Sequence, residues 1–217
     1  MVSRLLLARV LALAALLAAV TVVALGSVYK PGFSQFSSYI SELAAEGSLH
    51  ADAFAVYGFL PMALLLAAFL VVAAPLVRLD GASRIGFWLL LSQALSYMTA
   101  GFVPCDPGCP MQGSLMQQMH NLLGLVTSLA TGAGIFLMAS ASTISTLART
   151  GLILGGIIWS LTFVLMPEPA LVEWRGFLQR IAETVLWLVV LYIAFGLTSE
   201  TVEEDAERAS RSPLEQR

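Results

Sequence analysis

The sequence predicts an all-α fold, a polytopic bundle of six transmembrane helices, and three observations carry the prediction. Of its 217 residues, 58% are hydrophobic and 12% charged, against roughly 25% charged in a soluble domain. Mean hydropathy is +0.84. The apolar residues fall into six runs of spanning length, separated by polar or Pro/Gly-rich stretches. A water-soluble fold of this size cannot hide so much apolar surface, so lipid must act as solvent.

The first run extends from Leu5 to Val28 and is broken only by Arg9. A signal peptide is the rival reading, with Arg4 and Arg9 as its basic flank. The uninterrupted stretch from Val10 is longer than an h-region of about 7–15 residues, and no small-x-small cleavage site follows, which favours a retained span. A polar stretch from Tyr29 to Asp52 comes next. Pro31-Gly32 marks a turn. Ser37 to Glu46 reads as a short amphipathic helix with Gly47 as its C′ residue, and Ser48 as the cap of the following helix. The second span is Ala53 to Val77, with Pro61 inside it, which neighbouring membrane helices can accommodate. The third is Ile85 to Val103, after a loop from Arg78 to Arg84. A Pro-, Gly- and Cys-rich loop, Pro104 to Met116, precedes the fourth span, Gln117 to Ser140. The fifth is Thr150 to Met166. The sixth is Phe177 to Leu197, after the loop Pro167 to Gly176. Gly151 and Gly155 form a GxxxG pair, and Thr131, Gly132 and Gly134 are small residues in span four. Both are signals of close helix packing.

Residues 1–198 thus form one transmembrane domain. Residues 199–217 form an acidic tail, expected to be disordered and cytoplasmic, with six acids and three bases. The tail accounts for the whole formal net charge of −3. Nothing is basic enough to suggest nucleic acid. With both termini inside, the inner face collects Arg4, Arg9, Arg78, Arg84, Arg149, Arg208, Arg211 and Arg217. The outer face keeps Lys30, Arg175 and Arg180. This bias places both termini in the cytoplasm of a multi-pass protein of the plasma membrane.

The residues able to do chemistry then gather at the outer face: Ser41, Glu42, Glu46, His50, Asp52, Asp106, His120, Asn121, Arg180 and Glu183. Ionisable groups near a membrane interior are costly and are functional candidates by default. Glu42, Asp106 and His120 are the catalytic candidates, as carboxylate partners of a histidine base. Ser41, Asn121, Arg180 and Glu183 are the ligand-binding candidates. Arg180 and Glu183, three apart on one helix, can pair with each other; alternatively Arg180 meets an anionic head group. Cys105-Asp106-Pro107-Gly108-Cys109 predicts a turn that joins the cysteines in a disulfide, in a compartment where disulfides persist. No cofactor is expected. A metal held by His50, His120 and carboxylates, or copper held by Met111, Met116 and Met119 beside His120, stays open as a lesser reading. Motifs for a nucleophile elbow, a phosphate loop, a zinc protease or a dinucleotide site are absent from the sequence.

Four segments, in order and at span boundaries, carry a family resemblance. They are Tyr29-Lys30-Pro31-Gly32-Phe33-Ser34; Ile40-Ser41-Glu42-Leu43-Ala44-Ala45-Glu46-Gly47; Phe102-Val103-Pro104-Cys105-Asp106-Pro107-Gly108-Cys109-Pro110 leading to His120-Asn121; and Gly176-Phe177-Leu178-Gln179-Arg180-Ile181. Together they resemble the bacterial and archaeal membrane proteins known as domain-of-unknown-function 998. That likeness implies a fold and a candidate site but no reaction. Ser38-Tyr39-Ile40-Ser41-Glu42 is also distantly similar to the six-span Frag–DRAM–Sfk group, which implies lipid remodelling or lipid asymmetry.

Three functional classes follow. The first binds or remodels lipid head groups at the outer face, with membrane lipids as partners. The second is an accessory or structural subunit, joined to a membrane protein partner or a second copy of itself. The third is a small-solute transporter. Whether the chain is an enzyme is left open by its sequence.

Overall fold

The computed structural model describes residues 2–198; the acidic tail lies outside them. Six helices are long and apolar enough to cross a membrane: α1 Ser3–Tyr29, α2 Ala51–Leu76, α3 Gly81–Phe102, α4 Leu115–Met138, α5 Thr146–Leu165 and α6 Pro169–Leu197. No strand occurs among the described residues. The chain is a multi-pass membrane protein.

Each helix packs on the next, and α1 closes the ring against α6. On α1 the inward stripe is Ala8, Ala12, Ala15, Ala19 and Val22, all buried, while Leu6, Leu13, Leu17 and Val20 on other faces are exposed. Spacings of four and three residues keep that stripe on one side of a 3.6-residue helix. Small side chains there let α2 approach closely. Arg9 is not exposed to lipid alone: its Nε donates to Ala194 O at 3.3 Å, and its guanidinium lies over the Phe195 ring.

Helix boundaries follow local chemistry. Ser114 caps α4 by accepting from Gln117 N, and Ser145 caps α5 by accepting from Ala148 N. Asp80 and Ser83 form a reciprocal box at the start of α3, so that helix starts four residues earlier than its apolar run. Pro61 in α2 follows a π-helical stretch, Phe54–Phe59. A proline cannot donate to the carbonyl one turn back, and a wider register just before it re-accommodates the backbone.

Three expectations are corrected. The segment from Ser37 to Glu46 is not a regular helix; only the 3₁₀ turn Ile40–Ala44 forms. Its polar groups are claimed by distant parts of the chain: Ile40 N donates to Gln179 Oε1, and Lys30 Nζ to Glu42 O. Ile40, Glu42, Leu43 and Ala44 of that turn are buried. Ser48 does not cap α2. Its hydroxyl is buried without a partner, and His50, at φ 64°, occupies the cap position instead. Finally, the GxxxG pair packs only in part: Gly155 approaches Val185 of α6, where a Cβ would lie 3.2 Å from Val185 Cγ1, while Gly151 has open space around it. The close crossing lies elsewhere, where Gly86 of α3 meets Gly134 of α4. A Cβ on Gly86 would sit 2.6 Å from Gly134 O, and one on Gly134 2.8 Å from Gly86 O.

Candidate functional site

The loops joining α1 to α2, α3 to α4 and α5 to α6 interlock over one end of the bundle. Arg175 is the fastener. Its Nε donates to Ser37 O at 2.8 Å, its NH2 donates to Gly108 O at 3.0 Å, and the same NH2 forms an ion pair with Glu42 Oε1 at 3.0 Å. The guanidinium also lies 4.6 Å from the centroid of the Tyr39 ring. Tyr39 OH donates to Met166 O, Glu46 N to Cys105 O and Phe177 N to Phe36 O. Three separate loops thus become one cap.

Cys105 and Cys109 are joined as a disulfide with their Cα atoms 5.1 Å apart. The turn forms as the Pro-Gly pair predicts: Cys109 N donates to Asp106 O at 2.9 Å, with Gly108 at φ 79°, a conformation that glycine adopts without cost. The cysteines are only four residues apart, so closing the loop contributes about 2 kcal/mol in the chain-entropy picture. Replacing both by serine is expected to lower stability by no more than that, measured as a small drop in the midpoint of thermal unfolding in detergent.

Asp106 is bound within the loop between α3 and α4 and the start of α4. Its carboxylate accepts from Ser114 Oγ at 2.6 Å and Ser114 N at 2.8 Å, and its own N–H donates to Gln117 Oε1 at 2.7 Å. The Ser114 hydroxyl, and then the Ser114 amide, hold its pKa below the ordinary 3.8. A carboxylate whose folded pKa is depressed stabilises the fold above its unfolded pKa and loses that contribution as pH falls through the folded value. Acidification below pH 3.8 is therefore expected to loosen the loop at Ser114, seen as faster amide exchange there. Asp106→Asn is expected to show the faster exchange already at neutral pH and little further change with acid.

Beneath the cap lies a cavity of about 860 Å³. Its roof is Tyr39, Ile40, Ser41 and Cys109, and its floor includes Leu16, Trp159 and Leu191. Val20 of α1 and Leu188 of α6 line it and are also 56% and 61% exposed. The cavity is therefore open on a flank that faces the hydrocarbon. Polar groups concentrate near the cap: Gln179, Arg180 and Glu183 from α6, Gln93 and Tyr97 from α3, His120 and Asn121 from α4.

The four ligand-binding candidates of the sequence, Ser41, Asn121, Arg180 and Glu183, all line this cavity. Of the catalytic three, His120 lines it; Glu42 is used in the ion pair with Arg175, and Asp106 holds Ser114. His120 Nδ1 donates to Val103 O at 2.7 Å, which leaves Nε2 as the acceptor of the neutral ring. Ser41 Oγ lies 3.5 Å from Cys109 Sγ. Asn121 ties α4 to the cap through Pro110 O and Met111 O.

The expected Arg180–Glu183 ion pair is not formed. Arg180 instead reaches the first loop, donating to Gln35 Oε1 at 2.5 Å and Ser38 O at 3.0 Å, and to Gly176 O at 2.7 Å; its NH2 has no partner. Glu183 accepts from Tyr97 OH and from Gln93 Nε2 at 3.3 Å. From Gln93 a polar seam continues between α3 and α4: Thr131 Oγ1 donates to Gln93 Oε1 at 3.5 Å, and Ser92 Oγ lies 2.9 Å from Thr131 Oγ1. Sequence reasoning missed Gln93, Tyr97, Gln179 and Arg175. The signal for two of them was present: a glutamate inside a span needs polar partners, and Gln93 and Tyr97 sit one turn apart inside α3.

The Sγ atoms of Cys105 and Cys109 and a ring nitrogen of His120 lie within 4.8 Å of one another. A thiolate is the metal ligand, not a disulfide sulfur, so the joined cysteines do not supply the donors of a metal centre.

A ring of six spans, capped at one end over an amphiphilic cavity, defines the class: a polytopic membrane protein. The family model described as protein of unknown function (DUF998) matches residues 12–196; the chain belongs to that family. No curated protein and no solved structure matches it.

Proposed function

We propose that the chain binds a membrane lipid, with the head group under the cap and the chains leaving through the open flank into the bilayer. One observation carries this reading: a cavity of about 860 Å³ that is polar beneath the cap, apolar towards its floor, and open beside Val20 and Leu188. Binding sites for small amphiphiles are mostly apolar clefts of roughly 300–1,000 Å³ with a few convergent polar groups. Arg180, with one buried guanidinium nitrogen unspent, supplies a single charge-assisted donor for an anion at the polar end. The capped end is the extracytoplasmic one in this reading, since its disulfide needs an oxidising compartment and the arginines favour the opposite face.

Native mass spectrometry of the protein released from mild detergent tests the reading. The wild type is expected to retain a lipid adduct, and Arg180→Ala to lower its occupancy about tenfold, the loss of roughly one charge-assisted hydrogen bond. A wild type that emerges bare, or an adduct indifferent to Arg180→Ala and His120→Ala alike, overturns it.

A further inference from the structure

Arg180 and Glu183 line the cavity as ionisable side chains, and no direct ion pair joins them. Each makes its hydrogen bonds to neutral groups. Arg180 donates to an amide oxygen and two carbonyls, while Glu183 accepts from a phenol and an amide. They stand three residues apart on α6, a spacing of about 5–6 Å between Cβ atoms on one helix face. Ionisable groups without a direct charged hydrogen-bond partner are costly beside an apolar cavity. A purely anionic ligand would satisfy Arg180 and bring like charge towards Glu183. A ligand carrying both signs at this separation satisfies both. The surroundings of Glu183 fit a cation: the Tyr97 and Trp187 rings stack with centroids 6.4 Å apart and planes within 5°, and both line the cavity with Trp159. Aromatic faces attract ammonium groups, most strongly where water is excluded.

We infer that the ligand is a zwitterionic phospholipid, with its phosphate against Arg180 and its ammonium against Glu183 and the Tyr97–Trp187 stack. This deepens the lipid-binding reading and rests on it. The cap closes the cavity outward through Tyr39, Ile40 and Ser41. The head group is therefore folded inward beneath the cap, and the acyl chains pass sideways beside Val20 and Leu188.

The test is competition in lipid nanodiscs containing equal amounts of phosphatidylethanolamine and phosphatidylglycerol with matched chains, followed by native mass spectrometry of the retained lipid. The wild type is expected to favour phosphatidylethanolamine about tenfold. Glu183→Gln, which keeps shape and removes charge, is expected to abolish the preference. Tyr97→Phe, which keeps the ring and removes the hydroxyl that orients the carboxylate, is expected to weaken it, and it serves if Glu183→Gln fails to fold. A wild type that binds lipid without preference, or favours phosphatidylglycerol, overturns this inference and leaves lipid binding standing. A preference that survives Glu183→Gln does the same. No retained lipid of either kind overturns both.

Discussion

Gly86→Val or Gly134→Leu is expected to cost about 3 kcal/mol or to prevent folding altogether, at the severe end of overpacking effects. The two glycines face each other where α3 crosses α4, and the first atom of any side chain on either would meet the other's carbonyl oxygen at 2.6–2.8 Å. Backbone cannot step aside as a rotamer can. On the same helix pair, Leu137 Cβ lies 2.8 Å from a Cβ on Gly86 and Leu89 Cβ 3.1 Å from one on Gly134, so the helices would have to separate. That separation would also pull Ser92 from Thr131 and open the polar seam that leads to Gln93. Thermal unfolding in detergent, read by size-exclusion monodispersity, measures the effect. Gly151→Val is the control: that position is open, so little change is expected. Equal losses at Gly151 and Gly134 would show that the crossing is not as described.

Arg175→Ala is expected to destabilise the protein by about 4 kcal/mol, the range found when one partner of a buried ion pair is removed and the other charge stays buried. The side chains of Arg175 and Glu42 are 19% and 9% exposed. Without the guanidinium, Glu42 keeps the Tyr39 amide at 2.9 Å but loses the one cation that bonds its carboxylate directly, with Lys30 left at its carbonyl. The loss is not confined to one bond, because Arg175, at the start of α6, also holds Ser37 O of the first loop and Gly108 O of the loop between α3 and α4. The cap should part, and the buried Cys105–Cys109 pair should become open to reductant. The readout is the rate of thiol appearance under a dithiol, expected to rise sharply in Arg175→Ala. Glu42→Gln/Arg175→Leu, which removes both charges, should recover much of the stability. If the double variant is no better than the single one, the buried charge is not the cause.

The outline of the protein was legible in its sequence. Six apolar runs predict six spans because a bilayer imposes length and composition on a helix regardless of its neighbours. The Cys105–Cys109 turn was legible for a similar reason: Pro107 and Gly108 impose their backbone angles locally. Four residues chosen for chemistry, Ser41, Asn121, Arg180 and Glu183, do line one cavity. Their types, polar groups at the ends of apolar runs, marked them out.

What only the tertiary structure decided was which partner each polar group takes. Arg180 and Glu183 are near enough on α6 to pair, yet Arg180 turns to Gln35 and Ser38, and Glu183 to Tyr97 and Gln93. The segment from Ser37 to Glu46 had the pattern of a helix, yet its polar groups bond to Arg175, Gln179 and Lys30 instead. Ser48 could have capped α2, yet its hydroxyl lies buried and unpaired. In each case a local preference of a kcal/mol or less competes with groups from elsewhere in the chain that desolvate it or offer it another partner. Spans follow from the sequence by itself because the lipid selects them one helix at a time. The site follows from the fold because its hydrogen bonds join residues more than a hundred positions apart, such as Arg175 to Glu42 and Arg180 to Gln35, and no local pattern encodes such a choice.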